Sequence, residues 1–399
     1  MFSVADVRAF PERLELPAEV IEVARTLEHA GHEAWVVGGA LRDLLIGAEQ
    51  GDLDLATSAP PEVVQSLFRH TVPVGIKYGT VGVLDARRHL HEVTTFRRDV
   101  ETDGRHAVVS FGVSLEDDLA RRDFTINAIA YHPLRLVWAD PHHGRDDLLA
   151  GVVRAVGDPA ARFREDYLRI LRAIRFAARF GFEIESDTWR AAVDAAPGLA
   201  GLSAERVRDE WFKGLQTAAS LPRLVDLWHG VRAAVVWLPD LFHTYPGSDP
   251  APPVRDPVVL TALACADAAA ALRRLRASNH DVARAAALMA RPHAPGSLAA
   301  ADVRRWMAAA GSARDDLLLL ERYRTGADAA WADAVRGIVA RGEATALRQL
   351  ALTGSDLLAL GLPAGPAVGV TLERLLDLVL EDPSRNTRDQ LVEAARQWK

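Results

Sequence analysis

The sequence predicts an α+β protein: a mixed α/β block to about residue 150, then helices to the C-terminus. Three observations carry this. Up to residue 150, short apolar runs with period two are interleaved with runs of helical period. After residue 160, nearly every stretch is rich in Ala, Leu and Arg at helical spacing. The chain has 399 residues, enough for two to four domains at roughly 100–200 residues each.

The elements follow in order. Residues 19–30 (EVIEVARTLEHA) place apolar side chains on one helical face and stop at Gly31. Ala34-Trp35-Val36-Val37 reads as a short buried strand, ended by Gly38-Gly39. A helix from Ala40 to Ile46 stops at Gly47. Asp52-Leu53-Asp54-Leu55-Ala56 alternates as a half-buried strand does. Pro60 and Pro61 open a helix to about Phe68, and residues 80–85 (TVGVLD) and 90–96 (LHEVTTF) read as paired strands. Residues 97–110 are polar, contain Gly104, and read as a mobile loop. Thr125 to Tyr131 reads as a strand, although the polar residues before it also suit a helix start. Further on, breaks fall at Pro197-Gly198, Tyr245-Pro246-Gly247, Pro250 to Pro253, Pro292 to Gly296 and Gly361 to Gly369. The expected domains are 1–150, 151–215, 216–290 and 291–399.

Composition excludes several classes. Met1 to Pro17 has no apolar core of a leader, and no apolar stretch is long enough to cross a bilayer, so no membrane role is expected. The single cysteine, Cys265, rules out an internal disulfide framework and a thiolate zinc site, and it suits a reducing cytoplasm. The net charge of −7 argues against a generally basic nucleic-acid binder. Arginines nevertheless crowd at Arg121-Arg122 and from Arg154 to Arg179. Screening confines fields to about 8–10 Å, so a local basic groove can work on an acidic protein.

Asp52-Leu53-Asp54 is the centre of the chemical reading. Residues i and i+2 of a strand share a face. Two adjacent carboxylates repel unless a cation lies between them, and Mg²⁺ takes carboxylate and phosphate oxygens. Alone, the pattern equally describes a solvated strand face. Upstream, Gly38-Gly39-Ala40-Leu41-Arg42-Asp43 forms strand, glycines and helix start. That is a phosphate cradle or a plain strand–helix turn. Glu92 is either a third carboxylate on the Asp face or a surface glutamate. In Arg121-Arg122-Asp123-Phe124-Thr125, Asp123 or Thr125 can cap a helix; alternatively Arg122 holds phosphate and Asp123 accepts from a ribose hydroxyl. Asp166, Arg169, Arg172 and Arg175 are spaced by three along one predicted helix, a winding stripe with no acid after Asp166 until Glu183. It is either a solvated face or an anion-binding wall in which Asp166 accepts from, and Arg169 donates to, a base edge. His142-His143 and the tryptophans Trp237 and Trp331 read as loop and packing residues.

Together these segments resemble the class II tRNA nucleotidyltransferase / poly(A) polymerase family. The matching stretches are Gly38 to Gly47, Gly51 to Thr57, Glu92 to Arg97, Arg121 to Ala130 and Arg164 to Gly181, in the family's order and spacing. Thr353 to Leu358 and Asn386-Thr387-Arg388 are similar to the family's bacterial C-terminal pattern. The resemblance implies a polymerase-beta-like palm in the head, then a helical neck, body and tail. It implies Mg²⁺ on Asp52 and Asp54, beside which Glu92 stays the candidate third catalytic carboxylate of the residue reading. It implies nucleotide contacts from Gly39, Arg42 and Arg122, next to the candidate Asp123, a protein template of Asp166 and Arg169 supported by Arg172 and Arg175, and a tRNA acceptor end held by body and tail.

The expected reaction is addition of C or A residues of a 3′-terminal CCA to tRNA, from CTP and ATP. Val74 to Val81 lacks the arginine-rich signature typical of the poly(A) polymerases, which leaves that branch as the alternative. Asp99 to Phe111 is shorter than the usual pattern, with Ala107 where proline is common, and this tilts the expectation to CC addition. A third possibility is a catalytically silent RNA-binding relative; the intact Asp52, Asp54 and Glu92 disfavour it.

Overall fold

Strand β1 (Ala34–Val37) is buried along its whole length, as its unbroken apolar run requires. It pairs antiparallel with β2 (Asp54–Thr57) on one side and β8 (Ala130–His132) on the other. β2 runs parallel to β5 (Leu90–Thr95), which pairs antiparallel with β4 (Thr80–Leu84). With β3 (Thr71–Gly75) and β9 (Val137–Ala139) at the edges, the sheet has the order β3-β4-β5-β2-β1-β8-β9. The computed structural model describes residues 11–47, 53–85, 87–102, 107–249 and 254–398. They fall into two compact units, Met1–Thr244 and Tyr245–Lys399.

Both faces of the sheet are covered. On one, Val36, Leu55 and Val93 pack with Val20 and Leu27 of α1 (Ala18–His29), Leu41 of α2 (Gly38–Leu45), and Phe176 and Phe180 of a later helix. On the other, Trp35, Val37, Ala56 and Ala130 pack with Leu119. Each such side chain contributes about 1.5–3 kcal/mol when fully buried. α3 (Pro61–Leu67) starts on its proline, as read from the sequence. Leu119 lies on α4 (Leu115–Ala120), whose start is fixed by a capping box between Ser114 and Asp117.

The segment read as a mobile loop is instead a ribbon. β6 (Arg97–Thr102) and β7 (Ala107–Phe111) pair antiparallel in a separate two-stranded sheet. Gly104 lies outside the described residues. The strand read over Thr125 to Tyr131 is shorter than expected. Thr125–Asn127 forms a 3₁₀ turn, and pairing starts only at Ala130.

The rest of the first unit comprises α5 (Gly144–Ala150), β10 (Val152–Val153), α6 (Pro159–Glu165), α7 (Leu168–Phe180), β11 (Glu183–Ile184), α8 (Ser186–Ala195), α9 (Ala204–Thr217), α10 (Leu221–Gly230) and α11 (Ala233–Trp237). The sequence reading ran one helix through Asp166; the structure breaks it there. Asp166 is extended (φ −156°, ψ 106°) between α6 and α7, so it does not share the helical stripe of Arg169, Arg172 and Arg175. Helical periodicity misled because Leu168, Leu171 and Ile174 continue the apolar face beyond the break.

The second unit is helical throughout its described residues: α12 (Pro257–Ala264), α13 (Ala268–Arg274), α14 (Asn279–Ala290), α15 (Ala300–Ala310), α16 (Arg314–Thr325), α17 (Ala332–Ala340), α18 (Gly354–Ala359), α19 (Pro366–Glu381) and α20 (Arg388–Gln397). Pro250 to Pro253 lie outside the described residues. Buried Arg304 donates to the carbonyls of Leu380 and Glu381 and so closes the end of α19. No described helix is long and apolar enough to cross a membrane.

Candidate active site

A cleft of about 690 Å³ opens in the first unit over the C-terminal end of β1. Gly38, Gly39, Arg42, Asp54, Glu92, Arg122, Asp123, Asp166, Arg169, Arg172 and Arg175 all line it. Asp52 lies outside the described residues. The sequence therefore named residues from five separate segments that folding brings to one place.

The sheet positions the carboxylates. Leu55 and Val93 are register partners in the parallel pair β2–β5, so Asp54 and Glu92, one residue before each, occupy equivalent places on the cleft face. Gly38 follows β1 with φ +88°, a conformation that favours glycine. A Cβ there would lie 3.3 Å from Asp54 Oδ2 and 3.7 Å from Arg122 Nη1. The start of α2 has no side-chain cap, and its first residues, Gly38 and Gly39, line the cleft.

A chain of hydrogen bonds then joins three elements. Arg179 donates to Asp43 Oδ2 at 2.9 Å, and Arg42 donates to Asp43 Oδ1 through Nε (2.9 Å) and Nη2 (2.7 Å). Arg42 Nη1 also donates to Asn127 Oδ1. Asn127 Nδ2 donates to Asp123 Oδ1 at 2.8 Å, and Arg172 Nε donates to Asp123 Oδ2 at 2.7 Å. Phe176 supplies the apolar floor, its ring centroid 4.8 Å from the Arg42 guanidinium and 4.3 Å from that of Arg175. Arg175, itself buried, donates to Glu210 of α9 at 2.6 Å.

The electrostatics follow from this network. Burial lowers Arg42 to about 10, against the opposing pull of Asp43. Burial would raise the Asp123 carboxyl, but Arg172, Asn127 and the Phe124 N–H outweigh it and hold Asp123 at about 2. Burial also lowers Arg122, which donates to Asp118 Oδ2 and to the Asn127 carbonyl, both at 3.2 Å. Its Nε is buried and, among the described residues, has no acceptor. Nine arginines and four carboxylates line the cleft, so it favours a polyanion.

The family model for the Poly A polymerase head domain matches residues 34–154, and that for the probable RNA and SrmB-binding site of polymerase A matches residues 181–230. A CCA-adding enzyme of Leuconostoc mesenteroides is 49% identical over 216 residues, which cover 52% of this chain and 53% of that protein. One from Geobacillus stearothermophilus is 44% identical over 213 residues, covering 52% of each. The matched region thus spans about half the length of these curated relatives. The crystal structure of the Bacillus stearothermophilus CCA-adding enzyme in complex with CTP superposes with a TM-score of 0.79 and 31% identity over 95% of this chain and 96% of that one. The chain belongs to the class II nucleotidyltransferase family that includes the CCA-adding enzymes. The family's head is the mixed α/β block described above, and its helical remainder is the part after residue 150.

Sequence reasoning missed Asn127, Asp43, Phe176, Arg206 and Glu210. Asn127 sat inside the family-like stretch Arg121 to Ala130, and Arg179 continues the Arg172/Arg175 face by one turn. Nothing in the local sequence marks Arg206 or Glu210 as partners of the cleft, because that pairing is made by the packing of α9 on α7.

Proposed function

We propose that the protein is a template-independent nucleotidyltransferase that adds C and/or A residues of the 3′-terminal CCA to tRNA, from CTP or ATP, releasing pyrophosphate. The observation that carries this is the single cleft in which the Gly38-Gly39 turn, Asp54, Glu92 and the arginine-lined start of α7 meet. The tRNA 3′-oxygen forms a bond to the α-phosphorus, the bond from that phosphorus to the bridging oxygen breaks, and the hydroxyl proton leaves toward a carboxylate. The relatives' names and the bound CTP of the similar crystal structure support the same substrates.

Asp54 and Glu92 face the cleft as hard oxygen donors, and Arg122 Nε is a buried donor with no acceptor among the described residues. This donor set fits Mg²⁺ with a triphosphate. Asp52 and Asp54 would hold Mg²⁺, which when bound activates the 3′-hydroxyl and neutralises the leaving pyrophosphate. Glu92 orients the acceptor end. Gly39 and the first turn of α2 receive phosphate oxygens, with Arg122 and Arg42 behind them. Asp123 holds Arg172 toward the nucleotide. Asp166 accepts from the amino group that cytosine and adenine share, and Arg169 donates to the adjacent ring nitrogen. Functionally, residues 1–150 form the catalytic head and 151–215 the neck with the template. Body (216–290) and tail (291–399) hold the acceptor arm, in a cytoplasmic enzyme.

Of the forms this activity takes, the short segment Asp99 to Phe111 tilts the proposal to addition of the two Cs. The test is transfer with and without Mg²⁺, beside tRNA binding. Lengthening of tRNA with matching pyrophosphate release only when Mg²⁺ is present supports the enzyme. Metal-independent binding with no transfer supports the silent RNA-binding alternative, and long A tails on any RNA support the poly(A) branch.

A further inference from the structure

Asp166 precedes α7 in an extended conformation, and Arg169, of opposite charge and three residues on, lies in the first turn of that helix. A mutual pair would consume the acceptor and donor that a base must meet. In the structure each has a different partner. Asp166 Oδ2 accepts from Arg206 Nη2 at 2.6 Å, and Asp166 Oδ1 accepts from the Leu168 N–H at 3.0 Å. Arg169 Nη1 donates to Glu165 Oε2 and to the Arg162 carbonyl (3.0 Å), and Nη2 donates to the Arg121 carbonyl at 3.3 Å. Arg206 is one helical turn before Glu210 on α9, and Glu210 holds Arg175. One face of α9 thus supplies the charged partners of both Asp166 and Arg175.

We infer that Arg206 is a positioning residue for nucleotide selection: by clamping the Asp166 carboxylate from the α9 side, it fixes the orientation of Asp166 beside Arg169, whose guanidinium Glu165 already holds. This rests on the template reading of Asp166 and Arg169 proposed above. Both carboxylate oxygens of Asp166 are engaged, one by backbone and one by Arg206, so the group is fixed in orientation with a lone pair of each oxygen still available. Without Arg206, the Leu168 N–H is the one anchor left among the described residues, and the carboxylate no longer has a fixed orientation. The loss would fall on base discrimination, because phosphate contacts and metal ligands are elsewhere in the cleft.

The test measures kcat/KM for CTP and for UTP on tRNA lacking its CCA, for the unaltered protein, Arg206→Met, Arg206→Lys, Asp166→Ala and the double variant Asp166→Ala/Arg206→Met, with thermal unfolding of each. Arg206→Met is expected to reduce the CTP-to-UTP ratio about tenfold, through a raised KM for CTP with kcat less affected and the unfolding midpoint retained. Arg206→Lys restores most of the ratio, and the double variant discriminates no worse than Asp166→Ala alone. Unchanged discrimination in Arg206→Met, where Asp166→Ala does blur it, overturns the inference while leaving the template reading standing. So do additive losses in the double variant. Unchanged discrimination in Asp166→Ala overturns the template reading and this inference with it.

Discussion

Arg172 reaches Asp123 Oδ2 with two nitrogens, Nε at 2.7 Å and Nη2 at 2.6 Å, and so ties the neck helix α7 to the turn after α4. Asp123 spends its other oxygen on Asn127 and on its own chain. The carboxylate is therefore a structural anchor for a cleft arginine.

Replacing Asp123 with Ala leaves Arg172 and the Asn127 amide without their acceptor. Breaking a buried pair costs about 3–5 kcal/mol, and less here because Arg172 is one-third exposed, so about 2 kcal/mol is expected in urea unfolding. The pH dependence has a definite sign. With Asp123 held at about 2, below its unfolded value, its stabilisation is complete above the ordinary carboxylate range and is lost as pH falls from there toward 2. Asp123→Asn removes that part of the acid limb, seen as a flatter stability profile below pH 4.

Asn127 accepts from Arg42 and donates to Asp123, and that order fixes its amide orientation. Asn127→Leu deprives both neighbours at once. A loss of about 1–3 kcal/mol in stability and a raised KM for CTP are expected, the first by chemical unfolding and the second by initial rates.

Gly38 and Gly47 separate strain from function. Both have positive φ, +88° and +69°, but only Gly38 would place a Cβ against Asp54; at Gly47 nothing lies within 4 Å. Each Gly→Ala change costs about 1–2 kcal/mol of stability. Gly38→Ala is expected to lower kcat at least tenfold more than Gly47→Ala does, and equal effects on kcat would remove Gly38 from the site.

His132 is fully buried, with Nδ1 accepting from the Leu134 and Arg135 N–H groups and Nε2 facing Glu28 at 2.9 Å. That geometry selects the neutral ring protonated at Nε2. Burial lowers its pKa, so its contribution is present above the ordinary histidine range and is lost as pH falls through it. Unfolding free energy should drop between about pH 7 and 5, and His132→Asn should flatten that drop.

The local motifs were legible because their constraints are local. Gly38-Gly39 between a strand and a helix and the proline at the start of α3 each follow from backbone preference. The alternation through Asp54 predicted a half-buried strand, but Leu55, Ala56 and Thr57 are all buried because both faces of the sheet are covered. Tertiary pairing was not legible. The adjacency of Asp54 and Glu92 depends on the register of two parallel strands separated by other elements. The arginine stripe looked uncompensated because Asp123, Glu210 and Asp43, the acids of Arg172, Arg175 and Arg179, come from distant segments; only Arg169 has a local one, Glu165. Residues 97–110 read as loop because the β6–β7 ribbon is made by backbone pairing between two short strands, which polar side chains do not mark.

The most direct measurement is extension of tRNAs ending before the CCA, after one C and after CC, each with Mg²⁺ and CTP, ATP or both, resolved to single nucleotides. The account predicts incorporation of two Cs and then a stop, with the CC-ended tRNA untouched; completion of CCA would keep the activity but refute the reading of the short 99–111 segment. No nucleotide incorporated on any of the three, with folded protein and bound tRNA, would contradict the central claim.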